Sequence, residues 1–329
     1  MKGLDHSLAL NKNLDQRARE RFTSSMRAWV LTDLASQMQV DYEKSSAEAG
    51  QRHDSGEAVH QYVKNRDIFK WYSSLRCATQ ELVWQSVLSA IASDPESIEQ
   101  ISKQSEATHG GSLMLDAAIE LPDYTESMDV HLMPGNYQGT EDSGAEAGAV
   151  YDNGLEVFSF GVMGKNLDDI GHSMANYTRL KWPQLRPQLI VDVGCTIGHN
   201  TLPWKQTFPN ADVHGLDVAP SCLQYGHARA EAFAVPIHFR QASCEALPYE
   251  DGSVDVVLSS MFLHELPTHL IRAFFPEAHR VLKPGGVLIN MELPPNDVLD
   301  AYDAFYLDWD CFYNNEPFYK DLRALSYAP

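Results

Sequence analysis

The stretch LIVDVGCTIGHN, residues 189–200, decides the fold. Four of its first five residues are apolar, and a glycine closes the run, so it reads as a buried strand. Gly194 and Gly198 then permit a tight turn and let a ligand approach the backbone closely. The helix start behind them offers N–H groups that no carbonyl of the same helix can satisfy. A dinucleotide fingerprint would read G-x-G-x-x-G, and a nucleoside-triphosphate loop would end in Lys-Ser or Lys-Thr. This turn has G-x-x-x-G with Thr196 between and no such lysine, so the expected ligand lacks a pyrophosphate.

Downstream, short apolar runs recur at 189–193, 212–216, 237–241, 254–259 and 287–291, with helical lengths at 200–207, 220–233 and 268–282 between them. Strands alternating with helices at this spacing predict an α/β fold, a Rossmann-like doubly wound parallel sheet with helices on both faces. Such sheets bind ligands at the carboxyl ends of their strands. Asp217 ends the second run, 19 residues after Gly198, where a carboxylate would accept hydrogen bonds from ribose hydroxyls.

Upstream the pattern is helical. Apolar side chains three and four apart run from Phe22 to Met38 and again from Tyr62 to Ile91, with a polar loop between. The aromatic stripe Phe69, Trp71, Tyr72 and Trp84 reads as core. Residues 103–150 are rich in Gly, Ser and acidic residues and hold one compact oddity, DVHLMPGNY (129–137), before the linker-like GTEDSGAEAGA. The expected division is a helical N-terminal domain over 1–150 and a Rossmann-like domain over 151–329, entered through one or two short helices in 151–182.

Composition narrows the partners. With 25 Lys and Arg against 45 Asp and Glu, the formal net charge is −20, so nucleic acid is a poor candidate. No apolar run is long enough to span a bilayer, and residues 1–22 do not resemble a secretory leader. Cys77, Cys195, Cys222, Cys244 and Cys311 are scattered and form no C-x-x-C pair. That usage suits a reducing, cytoplasmic setting without disulfides or structural zinc.

The series DVGCTIG, GLDVAP, ASCEALPYEDGSVDVV, SSMFLHEL and RVLKPGGVLI, in this order, resembles the class I S-adenosylmethionine-dependent methyltransferases. It is most similar to the branch of ubiquinone, menaquinone and natural-product small-molecule methyltransferases, over about residues 185–295. The resemblance implies S-adenosyl-L-methionine as cofactor. Asp192, Gly194, Cys195, Thr196 and Gly198 would frame its amino-acid end, and Asp217 would hold the ribose. Val218 would touch the adenine, Ser243 and Cys244 would lie at its edge, and Ser259 would close the pocket under the sulfonium. Two departures stand out. Ser243 replaces the family's usual acidic residue, and the stretch after Met291 reads as helical and aromatic where the family has two further strands. Either the chain is truncated, the preferred reading, or another element covers the sheet edge. By analogy, residues 1–150 would cap a small-molecule acceptor site, form a homodimer, or both.

The catalytic candidates are His264, Tyr151 and His172. His264 and His269 stand five apart with Pro267 between them, which fails the zinc-protease spacing, and no metal is expected. His264 could take a proton from a hydroxyl or amine acceptor, or simply pack under its loop. His172 lies one helical turn from Asp168 and beside Asp169, as an acid–base pair or as a solvated helix start. Tyr151 could close the pocket or be a helix-entry aromatic, and His131 is a further candidate. Cys195 and Cys244 read as soft pocket walls. The expected reaction is methyl transfer to a small-molecule acceptor. The alternatives are non-methylating chemistry on the same cofactor, such as cyclisation, cleavage or rearrangement, and a non-catalytic cofactor- or partner-binding subunit.

Overall fold

The computed structural model describes residues 4, 6–103, 108–138 and 144–325. Its centre is a six-stranded sheet: β1 (Ser112–Met114), β2 (Leu189–Val193), β3 (Asp212–Asp217), β4 (His238–Gln241), β5 (Val254–Ser260) and β6 (Leu282–Met291). The order is β1-β4-β3-β2-β5-β6, and every neighbouring pair is parallel. From β2 the chain winds through β3 and β4 to one side and then through β5 and β6 to the other, so the crevice at the switch between β2 and β5 opens at their carboxyl ends, where Asp192 stands opposite Gly215 and Leu258.

Alternation along the strands assigns the faces. Ile190, Val213, Val256 and Leu258 pack against the helices Asp169–Lys181, Leu202–Thr207 and Pro220–Ala232. Val191, Val193, Leu216 and Val257 face the helix Thr268–Val281 through Leu270, Ile271, Phe274 and Ala278. These elements follow the sequence pattern within a residue or two, except that β6 begins five residues early.

The helical region joins the sheet through the helix Glu146–Phe158, which is pressed between two partners. A Cβ on Gly148 would stand 2.3 Å from the Tyr225 Cβ, and one on Gly154 would stand 2.3 Å from the Trp84 ring. Only glycine lets both neighbours come this close. The division expected at 150 therefore falls inside a helix whose two faces bind the two halves together. Strand β1, upstream of that position, is an edge strand of the sheet. Residues 139–143 of the linker-like stretch lie outside the described residues.

After β6 the chain is helical, as its composition suggests. Among the described residues no strand follows Met291. The helix Ala301–Tyr313 returns to the helices Gly56–Val63 and Asp67–Ile91, packing Phe305 and Trp309 against Phe69. Phe69, Tyr72 and Trp84 are buried as expected, but Trp71 is 64% exposed, because it lies on the outer face of its helix.

Candidate active site

The glycine turn takes the form its sequence requires. Gly194, Thr196 and Gly198 have φ of +76°, +46° and +70°, the left-handed region that costs a side-chain-bearing residue energy. Thr196 tolerates it because its N–H is held by the Asp217 carboxylate at 2.9 Å. The other oxygen of Asp217 accepts from the Ala219 N–H, also at 2.9 Å. One carboxylate thus ties the turn after β2 to the turn after β3. Burial pushes the Asp217 carboxyl up, and these backbone N–H groups oppose the shift.

Asp192 is buried beneath the turn. One of its oxygens accepts from the Thr201 hydroxyl at 2.6 Å, and the other has no partner. Burial raises its pKa to about 7 despite the Thr201 bond. Cys195 is buried against Gly215 and Phe239, and burial pushes its thiol well up, as it pushes the Cys244 thiol to about 12. Neither thiol is a nucleophile at neutral pH. Val218 presents its carbonyl to the Gln241 amide. Ser243 caps its own turn by accepting from the Glu245 N–H at 3.2 Å.

Of the expected cofactor residues, Asp192, Gly194, Cys195, Thr196, Gly198, Asp217 and Val218 therefore sit on adjoining strand ends, with Ser243 and Cys244 on the loop after β4. Ser259 is different. It is fully buried, and its hydroxyl donates to the side-chain amide oxygen of Asn290 on β6 at 2.8 Å. A cleft of about 600 Å³ bordered by Trp182 and Phe208 lies where β2 and β3 begin, at the opposite end of the sheet.

The catalytic candidates also separate. His172 is partly exposed, and its ring stands 3.6 Å from the Asp168 carboxylate, one helical turn away. Tyr151 is half-buried, with its ring 5.6 Å from that of Tyr137 and 5.8 Å from that of His199. His264 is buried with Nδ1 2.8 Å from Glu292 Oε2. Glu292 also accepts from the N–H groups of Phe262 and Leu263, and so fixes the turn that carries His264. Burial lowers the His264 pKa, but the Glu292 bond and the charge of Glu265 more than reverse this, and the net shift is upward.

Sequence reasoning missed how far this cluster extends. Glu265 Oε1 lies 3.0 Å from His131 Nε2, and His131 Nδ1 lies 2.8 Å from Glu316 Oε1. The Tyr137 hydroxyl points at the same Glu265 oxygen from 3.4 Å. DVHLMPGNY was conspicuous as a motif, but nothing in the sequence joins positions 131, 265, 292 and 316. Among the described residues, no three His, Cys, Asp or Glu side chains converge in a way that would hold a metal ion.

Comparison with known proteins bears on the sheet. Residues 190–286 match the family described as a methyltransferase domain. This part of the chain is similar to methyltransferase domains. The matched segment contains the glycine turn, Asp217 and the His264 turn. A malonyl-[acyl-carrier protein] O-methyltransferase of Hahella chejuensis is 34% identical over 142 residues, 42% of this chain and 47% of that protein. A demethylmenaquinone methyltransferase of Thermus thermophilus is 34% identical over 109 residues, 33% of this chain and 49% of that one. The chain thus spans about half the length of these curated relatives. Among solved structures, a geranyl diphosphate C-methyltransferase of Streptomyces coelicolor aligns at 21% identity and a TM-score of 0.33, over 36% of this chain and 43% of its own. The match covers β2 to β5 and the first half of β6, while β1 and the helices before residue 190 lie outside it.

Proposed function

We propose that the protein transfers the methyl group of S-adenosylmethionine to a small-molecule acceptor and releases S-adenosylhomocysteine. The observation that carries this reading is the position of Asp217 within the matched segment, at the strand-end crevice and hydrogen-bonded to the glycine turn. The donor set suits the cofactor. Asp217 is part-exposed and uses one lone pair on each oxygen, which leaves acceptor capacity for a ribose diol. Asp192 has an oxygen without a partner beneath the turn that would face the amino-acid end. Gly194 and Gly198 keep side chains off the backbone there. Val218 and the Ser243–Cys244 loop would flank the adenine, with Ser243 accepting from its amino group as a neutral oxygen.

When bound, the cofactor supplies a methyl group already activated by its sulfonium. The chain's own task is then alignment and exclusion of water. Tyr151, from the region before the match, packs its ring 5.8 Å from that of His199 just after the glycine turn, and Tyr137 packs on Tyr151. That placement supports a role for the N-terminal helices in shaping the acceptor site. Five free cysteines, four of them buried, fit a reducing compartment. Binding of S-adenosylhomocysteine to the wild-type chain and its loss in Asp217→Ala test the cofactor assignment, and equal affinity in the two would overturn it.

A further inference from the structure

The chain Glu316–His131–Glu265–His264–Glu292 alternates carboxylates with imidazoles across four segments distant in sequence. All five side chains are at most 16% exposed. Its middle member, Glu265, belongs to the matched segment, but His131 comes from the unmatched helical region. His131 and Leu132 have φ of +58° and +56°. Two consecutive side-chain-bearing residues in this region are held only where their surroundings fix them. Here the fixing groups are visible. The His131 carbonyl accepts from the Gln80 amide at 2.6 Å and from the Trp84 indole at 2.7 Å, so the helix Asp67–Ile91 grips the backbone. The strained backbone aims the ring between Glu265 and Glu316.

We propose that His131 is a positioning residue that keeps the Glu265 carboxylate ionised beside the point of methyl transfer, where Glu265 receives a hydrogen bond from an acceptor bearing a hydroxyl or amine. This rests on the methyl-transfer reading and adds the acceptor's chemical class to it. The acceptor heteroatom bonds to the methyl carbon, the carbon–sulfur bond breaks with its electron pair passing to sulfur, and the heteroatom's proton passes to Glu265. An acceptor without a proton to lose gains nothing from such a group.

The charges around the pair agree with this assignment. Burial alone would raise the Glu265 pKa, but His131, His264 and the Tyr137 hydroxyl bring it below the usual carboxylate value. Burial alone would lower the His131 pKa, but Glu316 and Glu265 raise it to about 10. Arg76 and Arg27 lie behind Glu316 in the helical region and act on it through their charge. Tyr137 continues the arrangement toward the cofactor turn, because its ring packs on that of Tyr151.

The test needs no identified acceptor. Sinefungin places an ammonium where the transferable methyl would stand, and S-adenosylhomocysteine leaves that place empty. Calorimetry on the full chain should show sinefungin preferred by about tenfold or more, the size of one charge-assisted hydrogen bond. Glu265→Gln should bring the two affinities within about twofold of each other, as the same bond without its charge would. In the wild type the preference should be flat from pH 5 to 8, because Glu265 stays ionised. In His131→Gln it should fade at the acidic end and return at the alkaline end, a response that a purely structural histidine would not give. Should His131→Gln fail to fold, the Glu265→Gln arm and the wild-type pH profile still decide the matter. Both ligands binding with a ratio indifferent to Glu265→Gln, or a wild-type preference that titrates between pH 5 and 8, would overturn the inference alone. Binding of neither ligand would remove the cofactor reading itself.

Discussion

Gly194→Ala probes the turn on which the account depends. At φ +76°, alanine pays a conformational cost of about 1–2 kcal/mol. Its methyl would also stand 2.1 Å from Cδ2 of the Phe262 ring. Carbon atoms rest at roughly 3.5–4 Å, so the ring must retreat by about 1.5 Å. Its backbone is pinned by Glu292 at 2.8 Å, and its ring packs edge-on against Phe274 at 6.1 Å. Overpacking of this kind costs about 1–3 kcal/mol, for a total of about 2–5 kcal/mol. Gly252→Ala is the matched control. It has φ +62° and nothing within 4 Å of its added methyl, so only the conformational cost of about 1–2 kcal/mol applies. Urea denaturation of the two variants, compared at equal slope, isolates the steric contribution. A Gly194→Ala loss no larger than that of Gly252→Ala would refute the claim that Phe262 is seated on the turn.

Asp217→Ala should weaken S-adenosylhomocysteine binding by about 1–3 kcal/mol, read by calorimetry, because the ribose loses its acceptor and the turn loses its tie. Asp192 has a folded pKa raised to about 7, so its neutral form favours folding. That contribution is complete below its unfolded value of about 4 and is lost as pH rises through 7. Asp192→Asn should therefore flatten the fall in urea midpoint across that window, and an unchanged slope would contradict the assignment. His131 has a folded pKa raised to about 10, so its stabilisation is complete below about 6.5 and is lost as pH climbs through 10. Glu316→Gln should shrink the alkaline loss, measured as midpoints at pH 7 and 9.5. His172→Ala should leave stability within about 0.5 kcal/mol and S-adenosylhomocysteine affinity unchanged, since its ring faces a carboxylate one helical turn away on a partly exposed surface.

The parallel sheet was legible because each strand from β2 to β5 is a short apolar run bounded by turn residues, and the periods of strand and helix differ. Strand β1 was not legible. Ser112–Met114 is three residues long, and only its pairing with His238–Arg240 makes it a strand. The boundary placed at 150 rests on a stretch rich in Gly and acidic residues, and two of its neighbouring glycines, Gly148 and Gly154, serve close packing within the helix Glu146–Phe158. The glycine turn and Asp217 could be placed from spacing alone, since both lie at strand ends that the pattern locates. Ser259 could not, because its burial depends on Asn290 in the adjacent strand. The His131–Glu265–Glu316 contacts were beyond reach for the same reason. Local pattern says which way a strand faces, but not which distant carboxylates a left-handed histidine will meet.

The central claim is that the strand-end crevice binds S-adenosylmethionine and passes on its methyl group. Calorimetric titration of the full chain with S-adenosylmethionine and with S-adenosylhomocysteine, followed by chromatography of each mixture, tests it most directly. The account predicts micromolar binding of both, with the donor intact until a hydroxyl or amine acceptor is added and S-adenosylhomocysteine appearing thereafter. Methylthioadenosine formed without an acceptor, or no binding of either ligand, would contradict it.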